Sequence, residues 1–318
     1  MSASSTRATR PGLLMLVFLL LLWAAAGHAF YRLDRAHDRQ AHRLLAELVE
    51  HKAKLADATA GPRVVIAGGS NAYYGLDAAL LEEELDRPVI NLALPFGAHH
   101  HAIALDLLEE QLQRGDTVVY SPGSLWDAAR PPSRRARDFD AYLDEAGLAG
   151  YERQFDAAAI PWRPLPQTGP LLLAAVEGPQ SGSGRSWVAD TDAHGTYTAC
   201  VDAPVVRPRH FAKDRVNDDL IEALRQAARR LAREDIRLVV SFPWLFIREN
   251  DRPRWQGLHA RAVADMGADL PVVASDPQDL LRSRRADFCD SPLHLSEDAS
   301  RRRTRALAAS LRPLLEEE

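Results

Sequence analysis

The feature that most constrains this chain is an alternation of short β-branched runs with segments of helical periodicity. Such an alternation predicts βαβ units, in which the strands form a mainly parallel sheet and the helices pack on its faces. The pattern therefore predicts a doubly wound α/β sandwich with a mainly parallel five-stranded sheet. The expected strands are 63–67, 88–92, 117–120, 237–242 and 270–274, and the expected helices are 76–85, 102–112, 215–233, 252–266 and 297–312.

A long apolar run, Leu13 to Ala26, lies near the N-terminus and follows two arginines. Its length of about 14 residues matches the hydrophobic region of a signal peptide, and extension through Tyr31 makes it long enough to span a bilayer. Helical spacing continues without a break over 32–55, which favours an uncleaved signal-anchor over a cleaved signal or a buried helix. We therefore expect a single transmembrane segment at 1–31, with the main domain on the periplasmic side.

The rest of the chain divides into a stalk and one domain. A polar helical stalk is expected at 32–61, where a Gly-Pro pair marks a boundary. The α/β pattern then occupies 62–318, interrupted at about 128–212 by a stretch rich in proline and glycine. So long a stretch of weak periodicity inside a compact domain indicates a functional insertion, with a surface loop as the alternative for 177–186.

Composition excludes several classes of function. Lys and Arg total 39 against 44 Asp and Glu, a formal net charge of −5, so no overall field attracts nucleic acid. The 318 residues include 2 cysteines, too few for a disulfide framework or a four-cysteine zinc site. Cys200 and Cys289 are either two separate thiols or a pair formed in an oxidising compartment.

The first candidate for chemistry follows the first strand. Gly68 and Gly69 permit a tight turn, and Ser70 stands at the expected start of a helix. Ligands of open α/β sheets bind beyond the carboxyl ends of the strands, where backbone N–H groups can stabilise an oxyanion. Ser70 is therefore either a nucleophile or a helix cap, a common role for serine.

The second candidate is the loop before the last helix, which carries Asp290 and His294. A nucleophilic serine needs a general base, and the base needs a carboxylate to orient it. The loop supplies both groups, although a loop of this kind is, taken alone, equally a structural element. With Ser70 the chain order becomes Ser, Asp, His.

The third candidate is the segment from Asn91 to Gly97, which follows the second strand. Because glycine has no side chain, the backbone N–H of Gly97 can approach a substrate oxygen closely. The alternative is a simple turn between a strand and a helix.

These three motifs, in this order and placement, resemble those of the SGNH (GDSL-like) hydrolase superfamily. Gly69-Ser70-Asn71 resembles its first block, which carries the nucleophile, and 91–97 resembles its second block, whose glycine N–H helps to form the oxyanion hole. Asp290 with His294 resembles its last block. The resemblance covers about 62–127 and 235–312. It implies a catalytic Ser70, His294 and Asp290, oxyanion donors at Ser70 and Gly97, and no cofactor.

Two positions depart from the pattern of this superfamily. The third block normally offers an asparagine to the oxyanion, and the matching segment 120–127 contains none. The candidate substitutes are Ser121, Ser124 and Asn71. Three residues separate Asp290 from His294 where two are usual, so Asp287 is a second candidate for the acid.

Two conspicuous motifs are not assigned to the site. His99 to His101 form a poor chelate because consecutive residues on a helix point in different directions, so we expect a solvated helix start and no metal. The arginines at 301–303 and 305 lie on the last helix. We expect them to form a solvated face, with binding of an anionic polymer as the alternative.

The sequence thus predicts an exported, membrane-anchored serine esterase or O-acyltransferase. A signal-anchored member resembles the branch of the superfamily that acylates cell-envelope or exopolysaccharide sugars, including alginate O-acetylation proteins. The expected partners are an acylated glycan or small ester, the membrane through the N-terminal helix, and an acyl-transferring membrane protein, with no nucleic acid. The alternative from another class is a non-catalytic envelope scaffold or glycan-binding module on the same fold.

Overall fold

The computed structural model describes residues 22–23, 27–28, 47–94, 108–123, 187–197, 208, 216–267, 269–274 and 276–316. Its main sheet has five strands in the order β2-β1-β3-β4-β6, and every neighbouring pair is parallel. These strands are β1 (Val64–Gly68), β2 (Val89–Asn91), β3 (Thr117–Ser121), β4 (Arg237–Ser241) and β6 (Val272–Val273). Two further strands, β5 (Leu245–Phe246) and β7 (Leu281–Arg282), form a separate parallel pair.

Seven helices accompany the strands in the described part of the chain. They are α1 (47–58), α2 (Ser70–Tyr73), α3 (Ala78–Leu85), α4 (Asp218–Arg233), α5 (Arg252–Met266), α6 (Pro277–Leu280) and α7 (Glu297–Glu316). Side-chain caps fix the starts of several: Asp77 accepts a hydrogen bond from Leu80 N at α3, and Asn217 accepts one from Leu220 N at α4. Such caps satisfy backbone N–H groups that have no partner within the helix.

Helices cover both faces of the main sheet, as the side chains of β1 demonstrate. Val65 and Ala67 belong to one apolar cluster, which includes side chains of α4 and α5. Val64 and Ile66 belong to a second cluster on the other face, with side chains of α3 and α7. Because alternate residues of a strand point to opposite faces, both sets are buried only if both faces are covered. The predicted α/β class and five-stranded parallel sheet are therefore confirmed, and the arrangement is consistent with a doubly wound fold.

The strand order determines where a ligand would bind. The chain runs from β1 outward to β2 and then returns to the other side of β1 for β3, so the order reverses between β1 and β3. Open α/β sheets bind ligands at such a reversal, beyond the carboxyl ends of the strands. Here β1 and β3 end at Gly68 and Ser121, which are direct partners in the sheet. Gly68 has a φ of 133°, and a Cβ there would collide with the carbonyl oxygen of Ser121.

Helix α1 lies within the predicted stalk and packs against the α/β domain. Leu48 and Ala56 are buried in the two apolar clusters, so the described end of the stalk is part of the domain core. At the end of the helix, the Arg63 guanidinium donates to Thr59 O and forms an ion pair with Asp116, with both charged side chains fully buried. The described end of the predicted stalk is therefore packed against the α/β domain.

Lys52 lies on the buried face of α1 and is only 4% exposed. Its ammonium donates to the carbonyl oxygens of Asn91 and Gly195 and stands 4.9 Å from the centroid of the Tyr73 ring. Burial lowers the pKa of Lys52 to about 7, and the charge of Asp192 opposes this shift only in part. Lys52 therefore joins α1, the end of β2 and a segment of the insertion.

The lowered pKa of Lys52 predicts a pH dependence of stability. From about pH 7 up to the ordinary lysine pKa of about 10.4, the unfolded chain binds more protons at this site than the folded chain. The free energy of unfolding should therefore rise with pH in this window, by up to about 1.4 kcal/mol per pH unit. Urea denaturation at pH 7, 8 and 9 measures this slope.

A Lys52→Met variant should lose that part of the slope. The matched control is Lys54→Met, on the same helix, whose side chain is 72% exposed and pairs with Glu50. We expect the control to keep the wild-type slope because an exposed pair contributes little. Equal slopes in wild-type protein and Lys52→Met would contradict the assignment.

Several expectations fall on residues that the structure leaves undescribed. The apolar run at 13–26 lies outside the described residues except for Leu22 and Trp23, which are helical and exposed. Among the residues described, no helix is both long and apolar enough to cross a bilayer. Of the insertion at 128–212, residues 187–197 and 208 are described.

Candidate active site

Ser70 is the first residue of α2, directly after the turn that ends β1. The N-cap of this helix is Gly69, with no side-chain capping bond, so the interpretation of Ser70 as a helix cap is wrong. Its side chain is half-buried, and its carbonyl oxygen accepts a hydrogen bond from Tyr74 N at 2.9 Å. Ser70 therefore lies just beyond the carboxyl end of β1, where the backbone N–H groups of the first helical turn have no intrahelical acceptor.

The buried side chain of Asn71 supports the turn that carries Ser70 and does not face an open site. Its side chain is 1% exposed, and its amide nitrogen donates to the hydroxyl oxygen of Ser121 at 2.8 Å and to the carbonyl oxygen of Ser121 at 3.2 Å. A donor engaged in this way is not presented to a substrate oxygen. Two of the candidate substitutes for the missing asparagine, Asn71 and Ser121, therefore bond to each other, and the third, Ser124, lies outside the described residues.

Arg303 lies beneath the same turn and corrects the expectation of a solvated arginine face. It is 2% exposed and donates to Asn71 O at 2.9 Å, Gly75 O at 3.4 Å, Ser121 Oγ at 2.7 Å and Phe242 O at 3.3 Å. Burial lowers the pKa of its guanidinium to about 9, and among the described residues it has no carboxylate partner. Arg303 thus links α7, the Ser70 helix, and the carboxyl ends of β3 and β4.

The neighbouring arginines do face solvent, but each is paired with an acidic side chain. Arg301 lies 3.9 Å from Asp77, Arg302 lies 2.7 Å from Asp287, and Arg305 lies 3.5 Å from Glu84. The expected solvated face is therefore confirmed for these three positions. It is wrong for Arg303 alone.

The Asp290–His294 loop holds its two side chains together. His294 Nδ1 lies 2.7 Å from Asp290 Oδ1, which leaves Nε2 as the ring nitrogen that can take a proton from a nucleophile. The loop is closed by Cys289 N, which donates to His294 O at 2.9 Å, and by Ser291 Oγ, which accepts from His294 N at 3.2 Å. These bonds fix the imidazole on a rigid loop, as a general base requires.

The structure also separates the two candidates for the acid. Asp287 is buried and accepts a hydrogen bond from Arg302 at 2.7 Å, with Arg284 3.7 Å away. Its carboxylate therefore belongs to an arginine pair and not to the imidazole. Asp290 is the carboxylate that contacts His294.

Tyr74 places His294 close to the Ser70 helix. The centroids of the Tyr74 and His294 rings lie 4.3 Å apart, and Tyr74 comes one helical turn after Ser70. The Tyr74 ring also contacts Tyr197, at 4.7 Å and 76°. The insertion therefore contributes an aromatic side chain that packs on Tyr74, the residue that contacts the imidazole.

Ser70 and His294 share this region without a direct bond. No hydrogen bond joins the Ser70 hydroxyl to the His294 ring among the described residues. Catalytic hydrogen bonds commonly tighten only when substrate is bound, so the arrangement is compatible with a nucleophile and a base. In the part of the chain that the structure describes, no group of acidic, His or Cys side chains could hold a metal ion.

Three further predictions concern Gly97, the histidines at 99–101 and the two cysteines. Gly97, the second expected oxyanion donor, and His99 to His101 lie outside the described residues. Cys289 is disulfide-bonded, so it is not the separate thiol that one interpretation expected. The sequence has one other cysteine, Cys200, which lies outside the described residues.

Two buried cations near the site were missed, although the sequence carries a signal for both. Arg303 is spaced four residues from Ala299 and Leu307, and Lys52 is spaced four residues from Leu48 and Ala56. Residues four apart share one face of a helix, so a lone cation within an apolar stripe indicates a buried charge. A hairpin at 191–197, closed by an antiparallel bridge between Thr191 and Tyr197, has no comparable local signal, because its contacts are to distant parts of the chain.

Comparison with known proteins assigns neither a family nor a function to the chain. Neither the protein-family models nor the curated proteins searched include a match to the chain. The class defined by the described structure is therefore an α/β protein with a five-stranded parallel sheet and an aspartate–histidine pair at its carboxyl edge. The function of this site must therefore be inferred from the chemistry of its residues.

Proposed function

We propose that this chain is a membrane-anchored serine esterase or O-acyltransferase of the SGNH type. Ser70 is the nucleophile, His294 the general base, and Asp290 the residue that orients the imidazole. One observation carries the proposal: the Asp290–His294 pair, 2.7 Å apart, lies against Tyr74, one helical turn from Ser70. This pair stands near the reversal of strand order, where doubly wound sheets bind their ligands.

The proposed reaction has two steps. Ser70 Oγ attacks the acyl carbonyl while His294 Nε2 takes the hydroxyl proton; the ester C–O bond then breaks and the alcohol leaves with that proton. The acyl group remains on Ser70 until a second nucleophile attacks it. Water as that nucleophile gives hydrolysis, and a sugar hydroxyl gives acyl transfer.

The oxyanion formed at each attack needs hydrogen-bond donors fixed in advance. The backbone N–H of Ser70 is one, since it belongs to the first turn of α2 and has no intrahelical acceptor. The resemblance to the superfamily implies Gly97 N–H as the second. Asn71 then acts as a support for the turn, because its amide already donates to Ser121.

The proposed location is the extracytoplasmic face of a membrane, with acyl groups of cell-envelope or extracellular glycans as substrate. The apolar run at 13–26 supports an anchor, and a disulfide-bonded Cys289 suits an oxidising compartment. An acyl-transferring membrane protein is the proposed donor for the transferase reaction. No cofactor is needed for this chemistry.

Covalent trapping tests the role of Ser70. A fluorophosphonate should phosphonylate Ser70, with a P–O bond formed at Oγ, fluoride released and the proton taken by His294. Intact-mass and peptide mass spectrometry of the full chain in detergent should show one label, on Ser70. Ser70→Ala should remain unlabelled. Ser310→Ala, a helix serine whose hydroxyl bonds to Ala306 O, should label as wild type does.

A second candidate function is a non-catalytic envelope scaffold or glycan-binding module on the same fold. Two observations favour it: the missing asparagine in 120–127, and the absence of a Ser70–His294 hydrogen bond among the described residues. The trapping experiment separates the two functions. Wild-type protein that takes up no label and hydrolyses 4-nitrophenyl acetate no faster than buffer would leave the scaffold as the better assignment.

A further inference from the structure

A small cavity adjoins the proposed catalytic residues. Its volume is about 190 Å³, and three separate elements form its walls: the end of α2 with the following loop, the hairpin at 191–197, and the first turn of α7. The side chains that matter here are Tyr74, Tyr197, Asp77, Asp192, Glu297 and Arg301. Pockets for drug-sized ligands measure about 300–1,000 Å³, so this cavity suits a single small ring and not a whole oligomer.

The hairpin wall of the cavity is held by hydrogen bonds. Asp192 accepts from the backbone N–H of His194 at 2.9 Å and of Thr196 at 2.8 Å. The hairpin is joined to the sheet by Asn91 N, which donates to His194 O at 2.8 Å, and to α3 by Thr196 Oγ1, which accepts from Ala78 N at 3.0 Å. A wall fixed at both sides provides a preformed surface, which lowers the entropic cost of binding.

Aromatic rings connect the cavity with the imidazole. Tyr74 lines the cavity and contacts Tyr197 on one side and His294 on the other, with ring centroids 4.7 Å and 4.3 Å away. A ligand that packs against Tyr74 therefore lies one ring from the proposed base. Aromatic rings present a flat apolar surface with a negative face, which suits the C–H groups of a sugar ring.

The charged groups of the cavity select against anions. Asp77, Asp192 and Glu297 are acidic, and Arg301, which lies 3.9 Å from Asp77, is the one basic residue among the described residues of the lining. Carboxylates accept hydrogen bonds from hydroxyl groups, whereas a second carboxylate brought among them is repelled. The lining therefore favours a neutral, hydroxyl-bearing ring over a uronate.

We propose that this cavity is a subsite for a neutral glycosyl unit of the substrate. The inference rests on the proposed function, because that function supplies the reaction that the bound glycan would undergo. It assigns a substrate class that the catalytic residues alone do not specify. A subsite of this kind would disfavour a polyuronate such as alginate.

Direct binding tests the subsite independently of turnover. Calorimetric titration of the full chain in detergent should detect binding of cellotetraose, a neutral probe, with at least about tenfold higher affinity than tetramannuronate at low ionic strength. Tyr197→Ala should weaken cellotetraose binding about 3- to 10-fold because an aromatic contact is lost. Tyr197→Phe keeps the ring and should bind as wild type does. Equal affinity for both probes, or unchanged binding by Tyr197→Ala, would overturn the assignment.

A charge reversal tests the selectivity. Glu297→Lys should reduce the preference for the neutral probe by about 3- to 10-fold, since it replaces an acidic group of the lining with a basic one. Asp298→Lys is the matched control, because Asp298 is exposed in the same first turn of α7 but does not line the cavity. Both substitutions have the same effect on the interaction with the helix dipole of α7. An equal loss of preference for the neutral probe in both variants would therefore refute a role of the cavity.

Turnover of 4-nitrophenyl acetate separates this inference from the proposed function. The acetate of this ester needs only the catalytic residues, so its turnover measures the proposed function apart from the subsite, and the Asp298→Lys control, which lies outside both, should keep kcat/KM within about twofold of wild type. Selective binding of cellotetraose without any esterase activity would retain the subsite and reject the enzyme. Esterase activity without selective binding would retain the enzyme and reject the subsite.

Discussion

Replacement of His294 by alanine is expected to lower kcat/KM for 4-nitrophenyl acetate by about three orders of magnitude or more. The physical reason is that the Ser70 hydroxyl is a weak nucleophile until a base removes its proton. His294 is the histidine whose Nδ1 contacts a carboxylate, so its Nε2 is the proposed acceptor of this proton. Initial rates at pH 8 in detergent, corrected for spontaneous hydrolysis, measure the effect.

The acid of the pair should show a smaller but diagnostic effect. Asp290→Asn preserves the shape of the side chain but favours the wrong imidazole tautomer, a change that costs about 10⁴-fold in a buried triad. Because Asp290 is 42% exposed, water partly replaces its contribution, and we expect a loss of about 10²-fold. Asp287→Asn is the matched control and should lose stability through its Arg302 pair while keeping most of its activity.

The opposite pattern would reject this assignment of the acid. If Asp287→Asn lost activity and Asp290→Asn retained it, the loop would have to rearrange when substrate binds. If His294→Ala retained the wild-type rate, His294 would not be the base. The Ser70 trapping experiment would then identify whether a nucleophile exists at all.

Arg303 carries the largest expected effect on stability. We expect Arg303→Met to lower the free energy of unfolding by about 3–5 kcal/mol, measured by urea denaturation. Its guanidinium satisfies four oxygens: the carbonyls of Asn71, Gly75 and Phe242 and the hydroxyl of Ser121. Loss of the guanidinium removes a donor from three buried carbonyl oxygens, at about 1–3 kcal/mol each, while Ser121 Oγ keeps its bond from Asn71 and release of the buried charge offsets part of the cost.

Two further variants separate the role of the guanidinium from that of its charge. Arg303→Lys keeps the charge, but a single ammonium cannot replace a planar fork that reaches three elements, so we expect it to recover less than half of the lost stability. Arg302→Met removes the neighbouring arginine, which is 45% exposed, and should cost about 1 kcal/mol or less. A loss for Arg303→Met no larger than that for Arg302→Met would contradict the structural role.

Arg303 should also affect catalysis at temperatures where the variant remains folded. It bonds to Asn71 within the Ser70 helix and to Gly75 just after it, and a Cβ at residue 75 would stand 2.9 Å from its Nη1. Arg303→Lys should therefore lower kcat for 4-nitrophenyl acetate, because Ser70 is less well positioned relative to His294, while KM changes less. A purely structural role would leave kcat of the folded fraction unchanged.

The local pattern of apolar and polar residues was sufficient to predict most of the strands and helices. Strand β4 and helices α5 and α7 lie within a residue or two of their expected starts, since a β-branched run and a helical stripe are encoded by neighbouring residues. Helix α1 was expected as part of a polar stalk, and its packing was not. The small sheet of β5 and β7 was also missed, because strands of two residues are too short to show a period.

The candidate site was predictable to the extent that its residues occupy loops after strands. Ser70 and the Asp290–His294 loop were selected by residue type and by their position in the alternation. The choice between Asp290 and Asp287 was not, because both lie within reach of the histidine along the chain. A contact of 2.7 Å from Asp290 to His294, and another from Arg302 to Asp287, distinguishes them.

The sequence by itself determined the α/β class, the parallel sheet and the loops that carry the candidate site residues, because side-chain periodicity and turn residues act over a few positions. Only the tertiary structure decided that Arg303 and Lys52 are buried, that Asn71 supports the turn, and that Tyr197 of the insertion stands beside Tyr74. Each of these depends on hydrogen bonds or ring contacts between residues far apart in the chain. Such contacts form only when the sheet and helices pack, and no local pattern encodes them.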